Sequence, residues 1–164
     1  MLPLTEKEIR GAFVNASRKQ ISDITFPAWF DDVDWDALDY LGWRDPKRAR
    51  RAYVVLPTLD GEPVGVLLQR ADASPRTRAQ CSWCQDVTLP NDVVFYSASR
   101  AGAAGRNGNT IGTLICEDFE CWRNVRRLLP SAYEGYDVEA ARLHRIDELR
   151  LRVAGFADAV LGQG

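Results

Sequence analysis

The 164-residue chain is poor in the groups that most often carry enzymatic chemistry. It has a single histidine, His144, and four cysteines. Catalytic zinc sites usually combine three protein ligands, often histidines, with an open position for water or substrate, and a serine or cysteine nucleophile needs a nearby base. His144 lies late in the sequence within a helical pattern, where we expect an imidazole on the helix surface. These shortages predict that the protein is not an enzyme.

The sequence also has no long hydrophobic run, and its first residues are not those expected of a signal peptide. No stretch approaches the ~20 apolar residues that span a bilayer. Residues 1–5 carry neither the basic nor the apolar region of a signal peptide. We therefore expect a cytoplasmic protein without a membrane partner, in a compartment that keeps thiols reduced.

An excess of positive charge is missing too, since the formal net charge is −2. The charge is nevertheless unevenly distributed. Five aspartates crowd residues 31–39 and basic residues crowd 44–51. Further arginines follow at Arg70, Arg76, Arg78, Arg100 and Arg106. A solvated surface is the ordinary interpretation of such clusters, although the first two are also able to pair with each other or to steer a charged partner.

The cysteines that are present form a C-x2-C…C-x4-C frame, made by Cys81, Cys84, Cys116 and Cys121. Two close pairs about thirty residues apart are typical of a tetrahedral zinc site, in which each pair comes from one tight turn. Two disulfides or four buried thiols are the alternatives. Because four thiolates fill the coordination sphere, the predicted single zinc ion is structural.

A helical pattern after the third cysteine supports the zinc interpretation. Apolar residues recur at helical spacing from Phe119 to Leu129, acids precede arginines along the run, and Pro130 ends it. Cys121 would then lie in the first turn of this helix, where backbone N–H groups favour a thiolate. A knuckle, a hairpin and a helix that carries the last ligand together predict a treble-clef zinc finger.

Other patterns predict an α+β fold. Thr5 and Glu8 form a capping box for a first helix over about 6–19. A short helix is expected near 35–41, ended by Gly42 and packed through Trp35. A long helix with one apolar stripe should follow the zinc finger over about 138–161.

Strand patterns predict two hairpins. The strands are expected at 52–57, 64–68, 93–97 and 110–115, and a Gly- and Arg-rich tract at 101–109 joins the last two. The result is an antiparallel four-stranded sheet with flanking helices. We expect one domain over 1–164, made of an N-terminal helical segment (about 5–45), the sheet with its zinc finger (about 52–130) and a C-terminal helix (about 138–162).

Two segments around the cysteines resemble a known family. Cys81-Ser82-Trp83-Cys84 and the run 115–121, with the strands and the glycine-rich tract between them, are similar to the C-terminal treble-clef zinc-finger (FBP) domain of elongation factor G-binding proteins. Weaker similarity extends to residues 5–16 and 41–46. The family includes the fusidic acid resistance proteins.

The resemblance implies a bacterial cytoplasmic protein whose four cysteines hold zinc and whose partner is elongation factor G. In the resistance proteins this binding helps to release the factor from the ribosome. The resistance proteins also have a separate N-terminal helical bundle, whereas this chain has room for only a helix or two before its sheet. Binding is therefore compatible with an absence of drug resistance, and a housekeeping role on the ribosome is an alternative.

A second hypothesis is a ribosome- or RNA-binding module. Arginines between 70 and 106 would contact phosphates, and Trp83, Phe95 or Tyr96 would stack on bases. The net charge of −2 argues against this hypothesis. Neither hypothesis requires a small-molecule substrate.

Overall fold

Five antiparallel strands, in the same order in space as in sequence, form the sheet of this computed structural model. The structure describes residues 1–72, 79–86, 92–128, 130 and 133–162. The strands are β1 (Leu41–Arg44), β2 (Arg51–Pro57), β3 (Pro63–Arg70), β4 (Val93–Ser99) and β5 (Thr110–Cys116). The predicted α+β class and antiparallel pairing are confirmed, whereas the predicted number of strands, four, is wrong.

The additional strand is β1, at the edge of the sheet beside β2. The helix expected near 35–41 is only a 3-10 turn at Trp35–Ala37. Leu41 and Trp43 are buried while the residues after each are partly exposed, which is the two-residue period of a strand. Leu38 and Leu41 are three residues apart and are buried in the same cluster, which gives the spacing that suggested a helix. They do not share a helix, because Leu38 follows the 3-10 turn and Leu41 begins β1.

The sheet has a hydrophobic core on each face, and β2 contributes to both. Val54 and its alternate neighbours face a cluster that includes helix α5 (Val138–Leu161), while Tyr53 and Val55 face the cluster that includes helix α1 (Glu6–Ala12). A strand buried on both faces has a continuous apolar sequence, as β2 does. The long C-terminal helix is confirmed at its predicted position.

The N-terminal helix is shorter than predicted. The capping box of Thr5 and Glu8 is present, but α1 ends at Ala12, and a second helix, α2 (Arg18–Ser22), follows. Between them the backbone N–H of Val14 donates to the Gly65 carbonyl of β3, at 3.0 Å. Pairing with the sheet therefore replaces the helical hydrogen bonds that the apolar stripe predicted.

Two shorter helices complete the described chain. The glycine-rich tract between β4 and β5 contains α3 (Gly102–Arg106), rather than only the hairpin loop that was predicted. The helix after the third cysteine is α4 (Cys121–Val125), which begins at the fourth cysteine. Arg76, Arg78 and Leu129, which entered the predictions above, lie outside the described residues. Within the described residues, no helix has the length and apolar character needed to cross a membrane.

Candidate metal centre

The four cysteines come from two tight turns that the sheet brings together. Cys81 and Cys84 flank a turn between β3 and β4, which is tied to β5 by a hydrogen bond from the Ser82 N–H to the Leu114 carbonyl, 2.7 Å long. Cys116 is the last residue of β5 and Cys121 is the first of α4. The fourth ligand thus lies in the first helical turn, as predicted.

A left-handed residue shapes the second turn. Phe119 has a φ of 61°, which is rare for a residue with a side chain, and its N–H donates to the Cys116 carbonyl. The prediction that the helix already includes Phe119 is therefore wrong. The reversal before the helix is what turns Cys121 back toward Cys116.

The geometry of the four sulfurs fits one zinc ion. All four Sγ atoms lie within 4.8 Å of one another, with 3.5 Å between Cys81 and Cys121 and 3.7 Å between Cys84 and Cys116. Tetrahedral bonds of about 2.3 Å to zinc place neighbouring sulfurs about 3.8 Å apart. The thiols are free, and these separations are much longer than the ~2.05 Å of a disulfide bond. The site therefore favours zinc over the disulfide alternative.

The cluster is buried, so its ionisation depends on a cation. At most 5% of any of the four cysteines is exposed. Burial raises the pKa of the Cys121 thiol well above its usual range, and hydrogen bonds with the other three sulfurs raise it further. Four thiolates this close repel one another unless a positive ion lies between them. Zinc binding would accordingly release protons and stabilise the folded chain.

Asn124 is a site residue that the sequence reasoning missed. Its side chain is 3% exposed, and Nδ2 lies 3.5 Å from the Cys116 sulfur and 3.8 Å from the Cys84 sulfur. An amide that donates to ligand sulfurs disperses their negative charge and fixes their orientation. The available signal was a polar residue three positions after Cys121, on the helical face that carries the ligand.

The two turns that carry the cysteines, residues 81–84 (the first metal turn) and 116–121 (the second metal turn), are part of the main hydrophobic core. Trp83, between the first two ligands, is 2% exposed and packs edge-on against Tyr40 at 5.0 Å and Phe156 of α5 at 5.7 Å. The Tyr40 hydroxyl donates to the Phe119 carbonyl. Burial raises the pKa of Tyr40 well above its usual range, and the nearby Cys121 sulfur raises it further, so the hydroxyl remains a donor. The ion would hold together parts of the core that come from distant parts of the sequence.

The acidic segment 31–39 and the basic segment 44–51 are not simply solvated, because residues in each form ion pairs within the fold. Asp39, in the acidic segment, has a fully buried side chain that pairs with Arg126 and with Arg150. From the basic segment, Arg44 pairs with Glu117 of the second metal turn. No ion pair among the described residues joins the acidic segment to the basic one. His144 is exposed, as predicted.

The residues proposed to stack on RNA bases are mostly inaccessible. Trp83 and Tyr96 are 2% and 0% exposed, whereas Phe95 is 42% exposed. Arg70 forms an ion pair with Glu117, and the guanidinium of Arg100 donates to a backbone carbonyl. Of the three aromatic residues in this hypothesis, all within the described part of the chain, only Phe95 is accessible for stacking on a base.

Comparison with known proteins gives a family and similar solved structures. The family model for the FBP C-terminal treble-clef zinc-finger matches residues 8–160. A structure of the fusidic acid resistance protein FusC is similar, with 17% sequence identity and a TM-score of 0.49. The similarity covers 90% of this chain and 64% of the FusC chain, so this chain spans less than two thirds of that protein. No curated protein matches the chain.

Proposed function

Because the chain belongs to the family of the FBP C-terminal treble-clef zinc-finger, we propose that it is a zinc-stabilised module that binds elongation factor G. The observation that carries the proposal is the match over residues 8–160, together with four sulfurs at zinc-binding separations within that range. Elongation factor G follows from the resemblance to elongation factor G-binding proteins around the cysteines. We place this activity in the bacterial cytoplasm.

The metal has a structural role in this proposal. Four cysteine ligands leave no coordination position for water or substrate, and the cysteines are buried in the same core cluster as Trp83 and Phe119. We infer that the protein is not an enzyme. The ion would act by holding the metal turns and α4 in the shape that the partner recognises.

Release of elongation factor G from the ribosome, as in fusidic acid resistance, is the cellular role we propose for this binding. A protein that binds elongation factor G is positioned to speed its release when a drug stalls it on the ribosome. A housekeeping role in translation uses the same contact. The two roles differ only in whether a stalled complex is the target.

The RNA-binding alternative has less support. Trp83 and Tyr96 are too buried to stack on bases, and Arg70 and Arg44 share the carboxylate of Glu117. Phosphate contacts by these arginines would have to displace an existing ion pair. RNA binding through phosphates would also weaken steeply with salt, which offers a simple way to detect it.

Titration calorimetry of the zinc-loaded protein against elongation factor G from the same organism tests the proposal. We expect saturable one-to-one binding. The absence of binding at high concentration, with zinc bound and the fold intact, would remove elongation factor G as the partner.

Cys116→Ser provides the zinc-dependent variant for the same titration. Removing one of four ligands should release zinc, unfold the metal turns and abolish binding, because apparent zinc-binding energy in such sites is folding energy. Ser82→Ala, at an exposed position in the first turn, is the matched control and should keep both zinc and binding. A stably folded Cys116→Ser protein with full binding would contradict the structural role of the metal.

A further inference from the structure

An open groove lies beside the second metal turn, between the acidic segment and α4. It has a volume of about 490 Å³, within the range of sites that hold small ligands or single side chains. Leu38 and Leu41 form part of its apolar lining. We call it the acidic groove and define it by the residues at its walls and rim: Trp29, Trp122, Asp32, Asp34, Asp118 and Glu120.

Two indole rings provide the walls of the acidic groove. Trp29 is 47% exposed, which is unusual for the largest apolar side chain, and Trp122 is partly buried. The guanidinium carbon of Arg123 lies 5.0 Å from the centre of the Trp122 ring. This contact shows that the wall already accepts a guanidinium group.

The rim of the groove is strongly negative. Four carboxylates line it, against the single guanidinium of Arg123. Among the described residues, Asp32 and Asp34 form no ion pair, and Oε2 of Glu120 is buried without a hydrogen-bond partner. Of the four carboxylates, Asp118 is the one that forms an ion pair within the described part of the chain, with Arg44 at 3.3 Å. Carboxylates without cations beside an apolar pocket favour a cationic ligand with donor groups.

We propose that the acidic groove binds an arginine side chain from an exposed basic segment of a protein partner. A guanidinium is planar, stacks on indole and donates several hydrogen bonds to carboxylates, so it matches both the walls and the rim. The carboxylates repel phosphate, which excludes nucleic acid at this surface. The inference rests on the proposed function in one respect, namely that the partner is a protein.

The experiment uses the whole zinc-loaded chain and a capped Gly-Arg-Gly-Arg-Gly peptide. Its analogue with citrulline in place of arginine keeps the size of the side chains but removes their charge. Nuclear magnetic resonance detects weak binding through the indole N–H signals of Trp29 and Trp122. We expect both signals to shift saturably with the arginine peptide and to remain unchanged with the citrulline peptide.

Two double variants in the same acidic segment provide the matched comparison. D32N/D34N removes two exposed rim charges and should weaken peptide binding about fivefold, because exposed ion pairs are individually weak and two are lost together. D31N/D36N removes the same charge from exposed residues that do not line the groove and should leave the affinity nearly unchanged. Equal effects of the two double variants, or equal shifts with both peptides, would overturn the proposal.

Titration of elongation factor G separates this inference from the proposed function. Peptide binding without binding of the factor would keep the groove and remove the factor. Binding of the factor without any peptide-induced shift would keep the factor and remove the groove. If D32N/D34N loses binding of the factor and D31N/D36N keeps it, the result would support both the groove and elongation factor G as the partner.

Discussion

At the scale of single residues, Asn124 shows how a neutral side chain supports a metal site. Its amide lies near two of the four sulfurs and is almost fully buried. We expect Asn124→Ala to lower zinc affinity by about 10- to 100-fold, because partners of metal ligands typically contribute that much. Competition with a chelating indicator measures the change.

The control for this substitution is Asn107→Ala, at an exposed position after α3 and away from the metal turns. It makes the same chemical change and should leave zinc affinity unaltered. Equal zinc affinity in Asn124→Ala and the unsubstituted protein would mean that the amide fills space without tuning the sulfurs.

Tyr53 and Asp45 form a buried hydrogen bond between a hydroxyl and a carboxylate, 2.6 Å long. Burial alone would raise the pKa of Asp45, but the Tyr53 hydroxyl, the Lys47 N–H and the Arg48 charge together lower it below its ordinary value. Burial and the Asp45 contact raise the pKa of Tyr53 to about 12. The pair therefore stabilises the charged carboxylate and the neutral phenol.

We expect Tyr53→Phe to lower the free energy of unfolding by about 1.5–3 kcal/mol at pH 7, measured with urea in zinc-containing buffer. A lowered carboxylate pKa gives stability that is present above the unfolded value of about 3.9 and is lost as the pH falls through the folded value. The difference between the two proteins should thus be constant from pH 7 to 5 and shrink below about pH 4.

Tyr96→Phe is the matched comparison for this pair. Its hydroxyl donates to the neutral carbonyl of Glu117, so its loss should cost less, about 0.5–1.5 kcal/mol. If Tyr96→Phe cost more than Tyr53→Phe, the charge on Asp45 would not be the source of the stabilisation.

At the scale of elements, strand β1 packs closely against the second metal turn at Gly42. A Cβ atom at Gly42 would lie 2.7 Å from Cγ of Phe119, which is closer than atoms can pack. Phe119 has little room to move, because its ring stacks on Tyr96 at 5.4 Å and its backbone is left-handed. The glycine thus allows the edge strand and the metal turn to approach each other.

Gly42→Ala should therefore destabilise the protein by about 1–3 kcal/mol, the usual cost of overpacking, and should weaken zinc retention. Thermal unfolding and chelator competition measure the two effects. The control is Gly11→Ala in α1, where a Cβ meets nothing within 4 Å. This substitution should instead stabilise the helix by up to about 1 kcal/mol. Equal stability of the two variants would contradict the tight fit at Gly42.

Elements with a strong local signal were predicted well, and those that depend on pairing were not. The 24-residue α5 has a long apolar stripe, and the hairpin of β2 and β3 has a turn between two apolar runs. By contrast, α1 was predicted to continue past Ala12, where the backbone instead pairs with β3. Local periodicity does not reveal a competing hydrogen-bond partner more than fifty residues away.

At the scale of the whole molecule, Asp39 joins three separate parts of the chain. Its buried carboxylate pairs with Arg126 after α4 and with Arg150 of α5, the latter at 2.9 Å between Nε and Oδ1. The end of α4, the C-terminal helix and the segment before β1 therefore meet at one carboxylate. Arg126 is partly exposed and Arg150 is exposed, which limits the penalty when they lose their partner.

We expect Asp39→Asn to lower the free energy of unfolding by about 1–3 kcal/mol, through weakened hydrogen bonds to charged groups. Urea unfolding followed by tryptophan fluorescence measures the loss. Asp36→Asn changes an exposed aspartate of the same segment and should alter stability by less than about 0.5 kcal/mol. Matching unfolding curves for the two variants would show that the ion pairs of Asp39 contribute no net stability.

By itself the sequence determined the two close cysteine pairs, since each short spacing brings two thiols together within a single turn, whereas the sheet brings the two turns to one site that fits zinc. It also determined the long helix and the hairpins, whose apolar periods are local properties. Only the tertiary structure decided that Asp39 is buried, that Asn124 contacts the sulfurs, and that Trp29 lines an open acidic groove. Burial and proximity are consequences of how distant elements pack, and a run of five similar aspartates contains no local signal that distinguishes the one facing inward.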